Sequence, residues 1–279
     1  MDRKPLLGLF AMVGIWLTAG LALPFVNVLK EFTAPQLMVF RGFLTAMIAF
    51  VVAKRAVGTT DKYTHWIAFI LPFATLGLFE GIKNWGAGPT IIVVTATPLV
   101  NLAIGPFLGR KISRASIVAL VLVLGGVTIA RWGGEFNWIG FAWSAFGTIM
   151  NGILYELFSR AKATPLQKCF WGCIGTGVLG VVLSANTVWP SFRGDLKLTL
   201  SIVGFAFVGG FLYWISNLIA FENLPTTEAS VLAQGETPAV ILGAWLMLGE
   251  RLTFVQVTGV AIALYGSWYL SRWLAKQNA

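Results

Sequence analysis

Thr97-Pro98 sits in a long apolar run that ends at Gly109 and is followed by Arg110-Lys111-Ile112-Ser113; 140 residues later Thr237-Pro238 sits in another, which ends at Gly249 and is followed by Glu250-Arg251-Leu252-Thr253. At the same offset, Gly126 in the following apolar run corresponds to Gly266. The offset is half of the 279-residue chain, so one unit is read twice, over residues 1–131 and 132–279. Each copy holds five apolar runs, and an odd number of crossings makes the second copy enter a membrane upside down. The expected fold is therefore an all-α membrane protein with ten transmembrane helices in two inverted five-helix repeats. Secondary transporters use that architecture, with a substrate site near the midplane where the copies meet.

Composition leads to the same class. Apolar residues make up 57% of the chain and charged residues 11%, with a mean hydropathy of +0.79. Soluble domains carry about twice that share of charge. The net charge of +9 is spread over short loops between apolar runs, which is a topology signal and excludes a basic nucleic-acid face. Cys169 and Cys173 are the only cysteines and His65 the only histidine, so neither a metal site nor a disulfide framework nor a Ser-His-Asp cluster can be assembled. A phosphate-cradling Gly-Lys-Ser/Thr loop is missing as well. These gaps argue against an enzyme, a resident cofactor and ATP-driven transport.

A crossing needs about 20 mostly apolar residues. Ten stretches qualify, at 6–29, 36–53, 66–84, 88–108, 115–131, 138–159, 169–188, 200–220, 229–248 and 256–273. The run at 6–29 is long enough to span, so the basic start at Arg3-Lys4 reads as a flank rather than part of a cleaved signal. With the N-terminus inside, thirteen Lys and Arg residues fall on the cytoplasmic side, among them Lys54, Arg55, Arg110, Lys111 and Lys168. Six fall outside: Lys30, Lys83, Arg131, Arg193, Lys197 and Arg251. That bias puts both termini in the cytoplasm. A second internal match, Ala34-Pro35 with Thr164-Pro165 at an offset of 130, marks the entries to helices 2 and 7.

Polar side chains inside these runs recur at helical spacing. The stripes are Trp16 in helix 1, Thr75 and Phe79 in helix 3, Thr97 and Asn101 in helix 4, and Thr148, Asn151 and Tyr155 in helix 6. Tyr213, Trp214 and Asn217 follow in helix 8, with Gln234 and Glu236 in helix 9. Facing lipid, such groups would lack partners, so they are expected to turn inward, either as interhelical hydrogen bonds or as a substrate-binding cavity. Stripes on six helices favour the cavity. Pro98 and Pro238 stand mid-helix in both copies and are the candidate hinges. Glu236, deepest of the ionisable residues, would carry a proton or take a substrate amino group, or else be a buried neutral carboxyl. Glu80 and Lys83 read as a local pair, and Arg41 as a structural residue that snorkels or meets a carboxylate.

Ala34-Pro35 leading to Arg41, Thr227-Glu228-Ala229-Ser230, Thr237-Pro238 and Leu248-Gly249-Glu250-Arg251-Leu252 together resemble the drug/metabolite transporter superfamily, in its ten-helix EamA branch. Within it the chain is most similar to bacterial exporters of aromatic and other amino acids. The resemblance implies export of small metabolites across a bacterial inner membrane. The expectation is thus alternating-access export of an amphiphilic metabolite, an amino acid first, with protons as the candidate coupling ion and the lipid bilayer as the only other partner. Multidrug export on the same fold, import, and a membrane enzyme or scaffold are the competing readings.

Overall fold

Threonine and glutamine, rather than proline, fix where two helices begin. In the computed structural model, which describes residues 3–86, 90, 93–108, 113–130, 137–190, 195–240, 242 and 253–277, helix α2 spans Ala34–Val52. Its N-cap hydroxyl, Thr33 Oγ1, accepts from Gln36 N at 3.4 Å, while Gln36 Oε1 accepts from Thr33 N at 3.0 Å. Helix α7 (Pro165–Ser184) repeats this capping box with Thr164 and Gln167. The boxes lie 131 residues apart. Matching the prolines gave 130, one residue out of register, because a first-turn proline fits either of two positions that need no donor. The apolar run at 169–188 starts helix 7 too late and leaves Lys168 in a loop; Lys168 is inside α7 and buried. Thr33→Ala is expected to cost about 1 kcal/mol, read as a lower melting temperature in detergent. Gln36→Ala should cost more, since Gln36 Nε2 also donates to Thr187 Oγ1 and Val188 O, both at 3.0 Å.

The other helices are α1 (Arg3–Val28), α3 (Lys62–Trp85), α4 (Thr97–Ile104), α5 (Arg114–Ala130), α6 (Trp138–Arg160), α8 (Leu196–Asn223), α9 (Thr226–Ala233) and α10 (Phe254–Gln277). Asp61, Asn137 and Asp195 cap α3, α6 and α8. Among the described residues, five stretches are long and apolar enough to cross a bilayer: Pro5–Ala22 within α1, and α2, α3, α7 and α8. Large apolar side chains such as Phe10, Val51, Val121, Ile139, Val182 and Leu200 point outward, while Gln36, Thr45, Asn101, Asn217 and Ser230 are fully enclosed. A water-soluble fold would reverse that distribution. The chain is a multi-pass membrane protein.

The expected continuous helices 4 and 9 are both interrupted. Turn residues Thr95-Ala96 precede α4, and Gln234-Gly235 separate α9 from a helical stretch at 236–240. Pro98 therefore sits in the first turn of α4, and Pro238 near the start of the second piece of helix 9. They begin helical segments rather than kinking continuous ones, which corrects their expected mid-helix placement. The two breaks touch, with Thr95 Oγ1 3.3 Å from Thr237 Oγ1. The closing turns at 109–112 and 243–252 lie outside the described residues.

Helices pair as α2 with α7, α3 with α6, α5 with α10, α1 with α8, and α4 with α9. Exchanging each helix with the one five places away maps this set onto itself. Glycine permits the closest crossings. A Cβ on Gly42 would lie 2.4 Å from Gly177 N across α2–α7, and one on Gly126 2.5 Å from Ala263 N across α5–α10.

Candidate functional site

Where the two broken helices cross, the surrounding helices leave a cavity of about 150 Å³. Its wall is built from Ala19 and Ala22 of α1, Arg41 of α2, Ala74, Thr75, Leu78, Phe79 and Ile82 of α3, and Asn151 of α6. Phe205, Gly209, Tyr213 and Trp214 of α8 and Val94, Glu236 and Val240 beside the breaks complete it. Small residues on α1 and Gly209 on α8 leave the space; aromatic rings define its shape. Among the described residues, one cation and one carboxylate face it.

The cation is Arg41, which is 6% exposed and neither snorkels nor forms an ion pair among the described residues. Four rings surround it: its Cζ lies 5.5 Å from the Phe79 centroid, 5.7 Å from Phe205, 5.9 Å from Tyr213 and 5.6 Å from Trp214. Helix α8 widens into a π-helical stretch, Phe207–Leu212, beside it. Such a stretch releases backbone carbonyls from the regular ladder. Two carbonyls here accept from α2: Gly209 O from Arg41 Nη2, and Ala206 O from Thr45 Oγ1 at 2.9 Å. Gly210 makes the approach possible, since a Cβ there would sit 2.1 Å from Thr45 Oγ1. Arg41 Nε has no hydrogen-bond partner.

The carboxylate is Glu236, at the start of the helical stretch after the second break. Tyr213 Oη donates to Glu236 Oε2 at 2.9 Å. Tyr213 thus bridges the two charges, its ring over Arg41 and its hydroxyl on Glu236.

Six of the thirteen proposed substrate-binding residues line this cavity: Thr75, Phe79, Asn151, Tyr213, Trp214 and Glu236. The other seven do not, and most of them serve backbone carbonyls instead. Trp16 Nε1 donates to Leu232 O at 2.9 Å, and its ring fills the space a side chain on Gly235 would need. Thr148 Oγ1 donates to Val93 O at 3.1 Å, and Thr97 Oγ1 to Val94 O at 2.6 Å. These bonds serve carbonyls next to the breaks, which the interrupted helices cannot fully satisfy. Asn101 Nδ2 donates to Gly152 O, Asn217 Nδ2 to Tyr213 O and Gln234 Nε2 to Ser230 O. Tyr155 stacks on Phe221, centroids 4.2 Å apart. Nor do Glu80 and Lys83 pair: Lys83 Nζ donates to Lys30 O at 2.5 Å, and Asn84 takes Glu80. Sequence reasoning missed Arg41, Phe205 and Gly209. The signal that could have found them was Gly209-Gly210 amid large residues of helix 8, opposite a lone arginine in helix 2.

Trp214 of the cavity wall packs edge-on to Phe158, which lies beside the Tyr155–Phe221 stack. Behind these rings the buried Lys168 donates to Phe158 O at 3.2 Å and pairs with Glu222 Oε1 at 2.5 Å. That contact ties the end of α6 to the start of α7 and the end of α8.

Known proteins resemble this arrangement. Residues 138–272 match the EamA-like transporter family. The matched family is one of transporters, and the described helices are those of a multi-pass membrane protein. Two Arabidopsis thaliana proteins are similar in sequence. "Nucleotide-sugar uncharacterized transporter 1" is 23% identical over 255 residues, 85% of this chain, and "Nucleotide-sugar uncharacterized transporter 2" is 28% identical over 190 residues, 65% of this chain. The aligned regions span 65% and 47% of those proteins, less than two thirds of either. Neither is a bacterial amino acid exporter. One solved crystal structure shares the fold, with a TM-score of 0.80 over 99% of this chain and 97% of its own at 16% identity.

Proposed function

We propose that this chain is a secondary transporter carrying a small amphiphilic metabolite through the cavity at the crossing of the broken helices. An amino acid with an apolar or aromatic side chain fits best, exported across a bacterial inner membrane with both termini in the cytoplasm. The observation that carries this reading is a cavity with aromatic walls and one phenol-held carboxylate, Glu236. Glu236 takes the substrate ammonium and is the candidate proton carrier; Phe79, Phe205 and Trp214 take the side chain. Thr75 and Asn151 supply neutral hydrogen bonds at the rim. On this reading the chain comprises two inverted units, 1–131 and 132–279, with ten crossings. The self-mapping pairing of helices and the positive-inside bias support that arrangement.

Alternating access then consists of parting the helices at the aromatic cluster beside Trp214. The Tyr155–Phe221 stack and the Lys168–Glu222 pair separate there, while the helical pieces that begin near Pro98 and Pro238 swing at their breaks. On the topology above, this cluster faces the cytoplasmic side.

The named relatives favour a second reading, a nucleotide sugar. A pyrophosphate would bring at least two negative charges to a cavity whose described wall offers one cation and a carboxylate, which argues against it. Counterflow in proteoliposomes separates the two. Saturable exchange of labelled phenylalanine or leucine, with none of UDP- or GDP-sugars, is expected. Exchange of nucleotide sugars alone would overturn the amino acid reading.

A further inference from the structure

Arg41 is the least explained charge in this molecule. A guanidinium removed from water needs an anion or a full set of acceptors. Arg41 has one acceptor, Gly209 O, and no carboxylate within ion-pair distance among the described residues; its Nε is unpaired, and it borders the cavity. The four rings around it stabilise the charge through their faces. They contribute no hydrogen-bond acceptor in the guanidinium plane, so the fork stays open for one. The π-helical carbonyl of Gly209 holds one terminal nitrogen and so fixes the plane of the group. A planar fork held at one corner, with a free N–H, suits an oxyanion.

We propose that Arg41 is the substrate-anchoring residue that binds the oxyanion of the transported molecule and sets the requirement for it. The inference rests on the transporter reading above and deepens it. Glu236 and Arg41, bridged by Tyr213, form a charge pair into which a zwitterion inserts, ammonium to Glu236 and carboxylate to Arg41. The oxyanion could also be a phosphate of a nucleotide sugar, and the experiment distinguishes the two sources.

The test uses the full chain in proteoliposomes, with labelled phenylalanine, phenethylamine (the same molecule without its carboxylate) and UDP-glucose. Wild-type protein is expected to carry phenylalanine with at least a tenfold advantage in kcat/KM over phenethylamine. Arg41→Gln is expected to raise the phenylalanine KM about 30-fold or more and to abolish the advantage. Arg41→Lys keeps the charge but loses the planar fork, and should fall between. If Arg41→Gln does not fold, the wild-type ratio and Arg41→Lys decide. Equal transport of acid and amine by the wild type, or an unchanged acid-to-amine ratio in Arg41→Lys together with any folded Arg41→Gln, overturns the Arg41 assignment and leaves the cavity reading intact. Flux of UDP-glucose alone, lost in both variants, keeps Arg41 as the anchor, identifies the oxyanion as phosphate and overturns the amino acid reading instead. Lack of flux of all three, with no thermal stabilisation by any, overturns both.

Discussion

Glu236→Gln is expected to raise the KM for an amino acid by about 30-fold or more and to flatten the pH dependence of transport. The substitution preserves shape. A glutamine side-chain oxygen still accepts from Tyr213 Oη, now at 2.9 Å from the carboxylate, so the cavity wall should keep its form. What disappears is a charge, in a site where aromatic rings exclude most of the water that would screen it. Removing one partner of an enclosed charge pair costs about 2–5 kcal/mol, and each 1.4 kcal/mol is about tenfold in affinity. The amide also cannot titrate. Any step in the transport rate across roughly pH 5 to 8 that arises from protonation of Glu236 must vanish in the variant. Counterflow measured across that range, wild type against variant, gives both numbers. An unchanged KM would remove Glu236 as the ammonium site, and an unchanged pH profile would remove it as the proton carrier. The predictions are separable: a transporter that binds the ammonium but moves no proton shows the first effect alone.

Helix positions were legible because periodic apolar runs and capping residues are local signals. α6 begins at Trp138, as its hydropathy indicated, and Asn137 caps it. The interruptions in helices 4 and 9 were not legible as breaks. Thr97-Pro98 and Thr237-Pro238 drew the eye to the prolines, yet the chain leaves the helix two to four residues earlier, at Thr95-Ala96 and Gln234-Gly235. A first-turn proline is compatible with a fresh helix start, so the same residue can mark a kink or a beginning. Only tertiary contact decides between them. Trp16 and Thr148, supplied by α1 and α6, accommodate the carbonyls that an interruption exposes.

The candidate site was half legible for a related reason. Polarity in an apolar run says that a side chain needs a partner; it does not say whether that partner is a ligand or a backbone carbonyl. Asn101 and Asn151 are both amides in the middle of expected crossings. Asn101 donates to Gly152 O and is enclosed, whereas Asn151 borders the cavity. The surroundings of Arg41 were not legible because they come largely from residues more than 160 positions away, Phe205, Gly209, Tyr213 and Trp214. A lone arginine in an apolar run is costly on any insertion scale.

Gly175→Ala is expected to destabilise the protein by at least about 3 kcal/mol, beyond the ordinary range for one added methyl in a packed interior. A Cβ at Gly175 of α7 would lie 1.9 Å from Ala68 O of α3, with Pro72 Cγ 3.3 Å away. The obstacle is backbone, so no rotamer change relieves it. Its cause lies four residues further along α3. Pro72 has no N–H to return to Ala68 O, so that carbonyl is left without its helical donor. It points across the crossing at the Cα of Gly175, where a C–H can serve as a weak donor. The glycine and the proline are therefore a matched pair on different helices. Pro72→Ala alone should cost little or even stabilise α3 itself, since it restores the donor. Combined with Gly175→Ala it should recover part of the loss, because Ala68 O can turn back into its own helix and away from the new methyl. Coupling of about 0.5–3 kcal/mol is the range for residues in contact. Melting temperatures of the two single variants and the double variant in one detergent supply the cycle. If Gly175→Ala melts within a degree of wild type, the crossing is looser than this distance requires; additive effects would mean that Pro72 plays no part in it.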